Sequence, residues 1–323
     1  MAPLETLPAH KVRDMLFADL YLGHPKMGNR FSEVPKAPTN PVKAGPELQD
    51  DLEMLRKACA YAEAQAKGLP DFRIEYDGYA YRVAVLQSVS GTVYVLRRMP
   101  PQIPSLRELG LPQLYSQKLM QEGLTGLVII SGAMKSGKTT AAGALVAERL
   151  VAYGGVAVTA EDPVEMPLEG THGPGICFQT QAASNEGGYA AATRNILRSG
   201  ANLIFLGEMR DGEAALEVLR AGVNGHLIVS TLHAEDIQTA LRRLEVMASE
   251  GMEAASAQAL MSDGLAMVLH LRLTGNNPRR LEAEMLTVRT NSSARAIIRS
   301  GHYERLGSEI SLQKTQMLTG RMG

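Results

Sequence analysis

The stretch SGAMKSGKTTAAGAL, which starts at position 131, constrains the fold more than any other part of the sequence. Gly132 and Gly137 stand five positions apart, and Lys138 and Thr139 follow directly. An apolar run, GLVII, precedes the stretch, and a helix-length segment follows it. In a G-x-x-x-x-G-K-[ST] pattern between a strand and a helix, backbone amides surround phosphate groups, the lysine reaches the outer phosphates and the hydroxyl binds magnesium. The sequence predicts such a phosphate-binding loop; the alternative is a glycine turn without a ligand.

The pattern of apolar runs divides the 323 residues into two parts, as the length also favours. Up to about position 98, a helix-like segment (HKVRDMLFADLYL), a proline-rich loop and a helix near 47–67 precede three strand-like runs, DFRIEY, YAYRVAVL and TVYVLRR. From position 126, the runs GLVIIS, VAVTA, NLIFLG and LIVSTL alternate with helix-length segments, which is typical of a parallel sheet covered by helices. We therefore predict an α+β domain over 1–100, a proline-rich linker over 101–115 and an α/β phosphate-binding domain over 116–323.

Composition narrows the possible partners. The formal net charge of −1 gives no overall attraction to nucleic acid or to an anionic membrane. The only two cysteines, Cys59 and Cys177, are too few for a metal cluster, and we expect free buried thiols in a reducing cytoplasm. We find no signal peptide and no apolar run near the roughly 18 residues that span a bilayer. A role at a membrane is therefore expected to come through a partner.

Polar residues follow three of the apolar runs in the second part. Ligands in parallel α/β sheets bind beyond the carboxyl ends of the strands, so these residues are candidate site residues. Acidic side chains in such a place can bind magnesium through water or polarise an attacking water, although each cluster taken alone could be a solvated loop or a helix cap. The three sets are Glu161, Asp162 and Glu165; Glu208, Arg210 and Asp211; and His233.

Two histidines flank the same predicted strand. Seven residues separate His226 from His233, and at about 3.3 Å per residue they lie up to roughly 23 Å apart, so both cannot contact one phosphate. His233 is at the ligand-binding edge and is the better candidate for sensing a terminal phosphate. His226 is at the opposite edge and is as well explained by a structural or intersubunit hydrogen bond.

These clusters, in this order, resemble the motifs of the ATPases of type II and type IV secretion and of type IV pili. GAMKSGKTT resembles the Walker A motif of that family, AEDPVE its Asp box, LIFLGEMRD its Walker B motif and GHLIVSTLHAED its His box. The sequence is most similar to the pilus-retraction branch and its relatives in type IVB secretion and conjugation. SARAIIRSG near the carboxyl terminus resembles a segment typical of retraction motors. The segment MPLEGTHGPGICFQTQAASNEGG, after the Asp box, differs from the usual retraction-motor sequence.

The resemblance implies a RecA-like P-loop ATPase domain after a smaller α+β, PAS-like domain. It implies that Thr139 binds magnesium and that Glu208 orders a water bound to the magnesium ion. It also implies that Glu165 activates the attacking water. Arg82 and Arg97 are expected to reach a nucleotide bound by an adjacent chain. The residues expected to contact ATP are Gly132, Ser136, Gly137, Lys138, Thr139 and Thr140.

The implied protein is a cytoplasmic homohexamer that docks on an inner-membrane platform protein. It would couple the hydrolysis of ATP, with Mg²⁺, to pilus retraction, type IV secretion or conjugative transfer. Two alternatives stay open: a nucleic-acid translocase, disfavoured because no basic stripe is evident, and a nucleotide-gated scaffold that binds ATP without turnover. A GTPase is disfavoured because the sequence contains no N-K-x-D motif.

Overall fold

The computed structural model describes residues 11–66, 69–182, 188–275 and 280–319. The chain forms two compact units, 1–101 and 102–323. Within the described ranges, no helix is both long and apolar enough to cross a membrane.

The first unit is a six-stranded antiparallel sheet with one long helix. The helix, α1, spans Gln49–Gln65 and buries Leu52, Leu55 and Cys59. The sheet order is β3-β2-β1-β6-β5-β4, and every neighbouring pair is antiparallel. Its strands are β1 (Asp19–Leu22), β2 (Arg30–Phe31), β3 (Val42–Lys43), β4 (Asp71–Tyr76), β5 (Tyr79–Ser88) and β6 (Gly91–Arg98).

The predicted amino-terminal helix is wrong. Position 10, where that prediction begins, lies outside the described residues. Val12–Asp14 form a single 3₁₀ turn, and Asp19–Leu22 form β1, which pairs with β2 and β6. Leu20 and Leu22 are buried on one face of this strand, and such alternation is the period of a half-buried strand. Pairing on both sides with distant segments therefore overrides the local helical pattern.

The second unit has an eight-stranded mixed sheet between two layers of helices. Its strands are β7 (Gly126–Gly132), β8 (Gly155–Glu161), β9 (Gly170–His172), β10 (Gly175–Gln181), β11 (Leu203–Leu206), β12 (Leu227–His233), β13 (Leu265–Thr274) and β14 (Arg280–Thr287). Its helices are α2 (Gln113–Leu119), α3 (Lys138–Tyr153), α4 (Gly188–Leu197), α5 (Gly212–Val223), α6 (Ile237–Ser249), α7 (Ala254–Gly264), α8 (Ser292–Ser300) and α9 (Leu306–Leu318).

The sheet order brings the predicted site segments to one edge. The order is β14-β13-β7-β12-β11-β8-β10-β9; the six central strands are parallel, and β14 and β9 are antiparallel edges. Residues of β7, β8, β11 and β12 are almost all buried, because helices cover both faces. The carboxyl ends of these four strands lie side by side, so the residues that follow them share one edge of the sheet.

Two further segments pack into the second unit. The segment predicted as a linker contributes Leu106, Leu111 and Tyr115 to the core beneath β7, and it is therefore part of this unit's packing. The segment after the Asp box forms the edge strand β9 and the strand β10 beside it. Residues 183–187 of that segment lie outside the described residues.

Candidate active site

The predicted phosphate-binding loop connects β7 to α3. Lys135 and Gly137 have positive φ values of 60° and 89°, and α3 begins at Lys138. A turn of this kind, followed by a helix amino terminus, directs backbone N–H groups toward a common point. The loop therefore has the backbone of an anion-binding site.

The side chains of the loop fit a phosphate group. Ser136 Oγ is buried and has no hydrogen-bond partner among the described residues. Its hydroxyl could therefore donate a hydrogen bond to a phosphate oxygen. Lys138 Nζ donates to the Ala133 carbonyl at 2.7 Å, across the loop. Burial lowers the pKa of Lys138, and the carboxylates of Glu208 and Glu165 act in the opposite direction. A half-buried cation beside an unpartnered hydroxyl is complementary to an anion with several oxygen atoms.

Residues at the same edge fit a magnesium ion that is bound together with phosphate. Thr139 and Thr140 occupy the second and third positions of α3. Among the described residues, no three His, Cys, Asp or Glu side chains are grouped as a metal site. Mg²⁺ characteristically keeps several waters and takes one or two protein ligands plus substrate phosphates. Thr139, beside Lys138 at the start of α3, and Glu208, which acts on the pKa of Lys138, are oxygen donors that fit that mode of binding.

The acidic cluster after β8 contains one buried carboxylate, Glu161, and two loop carboxylates, Asp162 and Glu165. Glu161 ends β8, is 1% exposed and accepts hydrogen bonds at 2.8 Å from Thr159 Oγ1 and Gln179 Nε2. Burial raises the pKa of Glu161, and these hydrogen bonds oppose the shift. The Glu165 amide donates to the other Glu161 oxygen at 3.4 Å. Glu161 therefore anchors the turn that carries Glu165.

The cluster after β11 is arranged around an arginine. Arg210 Nε lies 3.0 Å from Glu208 Oε2, and Arg210 Nη1 lies 3.8 Å from Asp162 Oδ2. The guanidinium thus joins the segments that follow β11 and β8. Asp211 caps the amino terminus of α5 and accepts a 2.7 Å hydrogen bond from the Ala214 amide. For this residue, the structure therefore shows the helix cap that the sequence analysis left open as the alternative to a site residue.

The two histidines beside β12 lie at opposite ends of that strand. His233 pairs in register with Gly132 on β7, and the Ala234 amide donates to the Gly132 carbonyl at 3.3 Å. His226 precedes the strand, and its carbonyl accepts from the Gly126 amide at 2.9 Å. His233 is therefore next to the phosphate-binding loop, and His226 is at the far edge of the sheet.

Sequence reasoning missed a third histidine, His270, in β13. Its Nδ1 lies 3.1 Å from Ser131 Oγ, and both side chains are buried. Ser131 is in β7, directly before the first glycine of the phosphate-binding loop. Burial lowers the pKa of His270; Glu284 and Asp236 oppose the shift, and the cations Arg272 and Lys138 reinforce it. The apolar run LAMVL before His270 was the available signal, because it resembles the runs before the other site residues.

Arg82 and Arg97 are cross-strand neighbours in the first unit, on β5 and β6. Arg97 makes a two-pronged contact with Asp19, at 2.8 Å from Nε and 2.9 Å from Nη2. Arg82 Nε lies 3.6 Å from Asp71 Oδ1. Both arginines are partly exposed on one face of the sheet, and their role toward a nucleotide stays a prediction.

A parallel α/β sheet with a phosphate-binding loop and carboxylates at its carboxyl edge defines a P-loop nucleotide-binding protein. The family model described as "Type II/IV secretion system protein" matches residues 67–308, about three quarters of the chain. The chain belongs to this family of secretion and pilus ATPases, and the predicted family is confirmed.

Curated relatives match over part of their length. The "Type IV pilus retractation ATPase PilT" of Pseudomonas aeruginosa is 30% identical over 203 residues, which are 62% of this chain and 57% of that protein. The "Type IV pilus ATPase PilU" of the same organism is 31% identical over 164 residues, 51% of this chain and 42% of that protein. The "Putative type II secretion system protein E" of Escherichia coli K12 is 32% identical over 227 residues, 68% of this chain and 43% of that protein. The chain thus spans about half the length of these relatives.

Solved structures confirm the fold. The pilus retraction motor PilT with bound ADP superposes with a TM-score of 0.76 at 22% identity, covering 93% of this chain and 87% of that chain. The Legionella pneumophila ATPase DotB superposes with a TM-score of 0.71 at 22% identity, covering 94% of this chain and 84% of that chain. The predicted RecA-like α/β unit with a smaller amino-terminal unit is confirmed.

Proposed function

We propose that this chain hydrolyses ATP to ADP and phosphate as the motor of a pilus or secretion apparatus. The observation that carries the proposal is the geometry of the loop. Lys138 Nζ lies across it, the buried Ser136 Oγ has no partner among the described residues, and carboxylates follow neighbouring strands. Glu208 and Glu165 both act on the pKa of the Lys138 ammonium group, although they follow different strands. Cationic, hydroxyl and carboxylate groups around one phosphate-sized loop are the groups that nucleotide hydrolysis requires of a protein.

Each residue would have one task in this reaction. Backbone amides of the loop, Ser136 and Lys138 would hold the phosphates, and Thr139 would bind magnesium together with Glu208. Bound magnesium would neutralise charge on the phosphate oxygens. Glu165 would orient the attacking water and accept its proton. His233, beside Gly132, would respond to the terminal phosphate.

The assembly in which the energy is used is also part of the proposal. We infer a cytoplasmic homohexamer docked on an inner-membrane platform protein, in which Arg82 and Arg97 complete the nucleotide site of an adjacent chain. The names of the pilus and secretion relatives support a role in a pilus or secretion apparatus. Closure of a ring around ATP would convert binding and hydrolysis into domain motion. Such motion would serve pilus retraction, type IV secretion or conjugative transfer.

Steady-state turnover of the Lys138→Ala variant tests the hydrolysis. Loss of a unit charge about 4 Å from a phosphate oxygen removes up to about 4 kcal/mol at an effective dielectric constant near 20. We therefore expect turnover at least about 100-fold lower than in the wild type. Lys135→Ala is the matched control, because Lys135 is an exposed lysine of the same loop, and we expect a change of less than about twofold. Wild-type turnover in Lys138→Ala would refute the proposal.

Mixing two inactive variants tests the shared site. Lys138→Ala lacks the phosphate-binding lysine and Arg97→Ala lacks the arginine of the neighbouring chain, so each alone should turn over slowly. In a mixed ring, some interfaces contain both intact groups, and turnover should rise above that of either variant. A mixture that shows only the average of the two would place Arg97 outside the nucleotide site.

A further inference from the structure

Strand β10, which lies between β8 and the edge strand β9, carries a side chain that makes three hydrogen bonds to residues of the segment 161–169. Gln179 Nε2 donates to Glu161 Oε1 and to the Met166 carbonyl, each at 2.8 Å. Gln179 Oε1 accepts from the Glu169 amide, also at 2.8 Å. In addition, the Gln179 amide donates to the Glu169 carboxylate. One amide side chain thus joins the start, middle and end of the segment 161–169.

The register of β10 places this side chain where it can reach all three partners. Gln179 lies opposite Thr159 in the parallel pairing of β10 with β8. Thr159 Oγ1 donates to the same Glu161 oxygen as Gln179 does, at 2.8 Å. The buried Glu161 carboxylate is therefore held by two neutral donors from adjacent strands, and its orientation is determined by both.

The held segment contains Glu165, the proposed acceptor of the proton from water. Its amide hydrogen bonds to the Glu161 oxygen that Gln179 does not contact, and its carboxylate is close enough to affect the pKa of Lys138. The backbone path from Glu161 to Met166 is thus held at both ends by one Gln179 nitrogen. The position of Glu165 relative to the phosphate-binding loop depends on that path.

We propose that Gln179 is a positioning residue, which holds the segment 161–169 so that the Glu165 carboxylate faces the phosphate-binding loop. Gln179 lies in the stretch that departs from the usual retraction-motor sequence. That stretch therefore supplies a structural element of the site. The effect on turnover rests on the proposed function, whereas the effect on the conformation of the segment can be measured without it.

Two substitutions of similar volume separate the hydrogen bonds from packing. Gln179→Met keeps the length of the side chain and removes its three hydrogen bonds. Gln179→Glu keeps the shape and replaces the donating NH₂ by a carboxyl oxygen. Thr180→Val is the matched control, because the Thr180 hydroxyl donates only to the Thr159 carbonyl and not to the held segment. The melting temperature of each variant reports whether it folds.

Hydrogen–deuterium exchange measures the conformation directly. In Gln179→Met, we expect exchange in the peptide covering 161–169 to be at least about tenfold faster, because the Glu169 amide loses its acceptor and Glu161 loses a donor. Exchange in the peptide covering 131–140 should be unchanged. Thr180→Val should show wild-type exchange in both peptides. Unchanged exchange over 161–169 in Gln179→Met would overturn the proposal.

Turnover and nucleotide binding then test the consequence. In Gln179→Met, we expect turnover at saturating ATP to fall at least about tenfold, because a misplacement of about 1 Å in a reacting group has effects of this size. The Kd for ADP should change by less than about twofold. Equal turnover in Gln179→Met and wild type would also overturn the proposal. If the wild type shows no turnover, the proposed function fails and the exchange result alone decides the role of Gln179.

The pH dependence of turnover in Gln179→Glu distinguishes the loss of the hydrogen bonds from a general loss of stability. The introduced carboxyl would face Glu161, with Glu165 and Glu169 nearby and Cys177 on the same strand. Two carboxyl groups in contact share a proton at low pH, and the protonated form can donate as the amide does. Turnover relative to wild type should therefore rise between pH 8 and pH 6 in Gln179→Glu and stay constant in Gln179→Met. A constant ratio in both variants would contradict the proposed contact.

Discussion

Gly132→Ala should destabilise the second unit more than the same change at Gly137. Both glycines have positive φ, 155° and 89°. At Gly132, a Cβ would lie 2.4 Å from the Leu271 carbonyl oxygen and 2.5 Å from Ser136 Oγ, well below van der Waals contact. At Gly137, no atom lies within 4 Å of that point. Both substitutions therefore strain the backbone, but only the Cβ added at Gly132 overlaps with neighbouring atoms.

The difference can be expressed as free energy. A non-glycine residue in this region of φ costs about 1–3 kcal/mol at either position. Leu271 lies opposite Gly132 in the β7–β13 pairing, so its carbonyl cannot move away without disturbing the sheet. Forcing an added methyl group into such a packed site costs about 1–3 kcal/mol more. We expect the free energy of unfolding to fall by about 2–6 kcal/mol for Gly132→Ala and by about 1–3 kcal/mol for Gly137→Ala.

Urea denaturation followed by circular dichroism measures both values. Hydrogen exchange of the peptide covering 126–132 then assigns the loss to the second unit, since a chain of two units need not unfold in a single step. Equal losses of stability in the two variants, or a larger loss in Gly137→Ala, would refute the reasoning from the Leu271 carbonyl.

Two further predictions concern buried titratable groups. The pKa of His270 is lowered in the folded chain, so the unfolded chain binds more protons below about pH 6.5. The free energy of unfolding should therefore decrease as the pH is lowered through this range, by up to about 1.4 kcal/mol per pH unit. His270→Gln should remove this component from urea denaturation curves at pH 7 and pH 5.5; an identical decline in both proteins would contradict the assignment. Burial raises the pKa of the free thiols Cys59 and Cys177 to about 12, so a thiol reagent at pH 8 should label neither in the folded protein and both in urea. Rapid labelling of the folded protein would show that one thiol is accessible.

The local sequence was sufficient to predict the parts of the site that depend on short-range order. The runs that became β7, β8, β11 and β12 are apolar because helices cover both sides of these strands. Ligands of parallel sheets bind beyond the carboxyl ends of the strands, so the sequence was enough to make Glu208 and His233 candidate site residues. The family was also predicted from local sequence, because each of its four motifs is a short contiguous stretch of the chain.

Other features depended on pairing between distant segments and were missed or wrongly predicted. Asp19–Leu22, the end of the segment predicted to be helical, form β1 because β6 and β2 pair with them. His270 acquired a site contact only through the alignment of β13 with β7, which is 139 positions away in the chain. Neither partner is visible in the local pattern of the other.

The sequence by itself determined the chemistry of the edge: a phosphate-binding loop, a lysine, and carboxylates after neighbouring strands. The tertiary structure alone decided which groups touch. It placed Arg210 between Glu208 and Asp162, turned Asp211 into a helix cap, and brought Gln179 onto the segment that carries Glu165. The physical reason is that the type of a residue and its local pattern are encoded nearby. The hydrogen bonds of a buried carboxylate, by contrast, depend on the register of strands that meet only in the folded sheet.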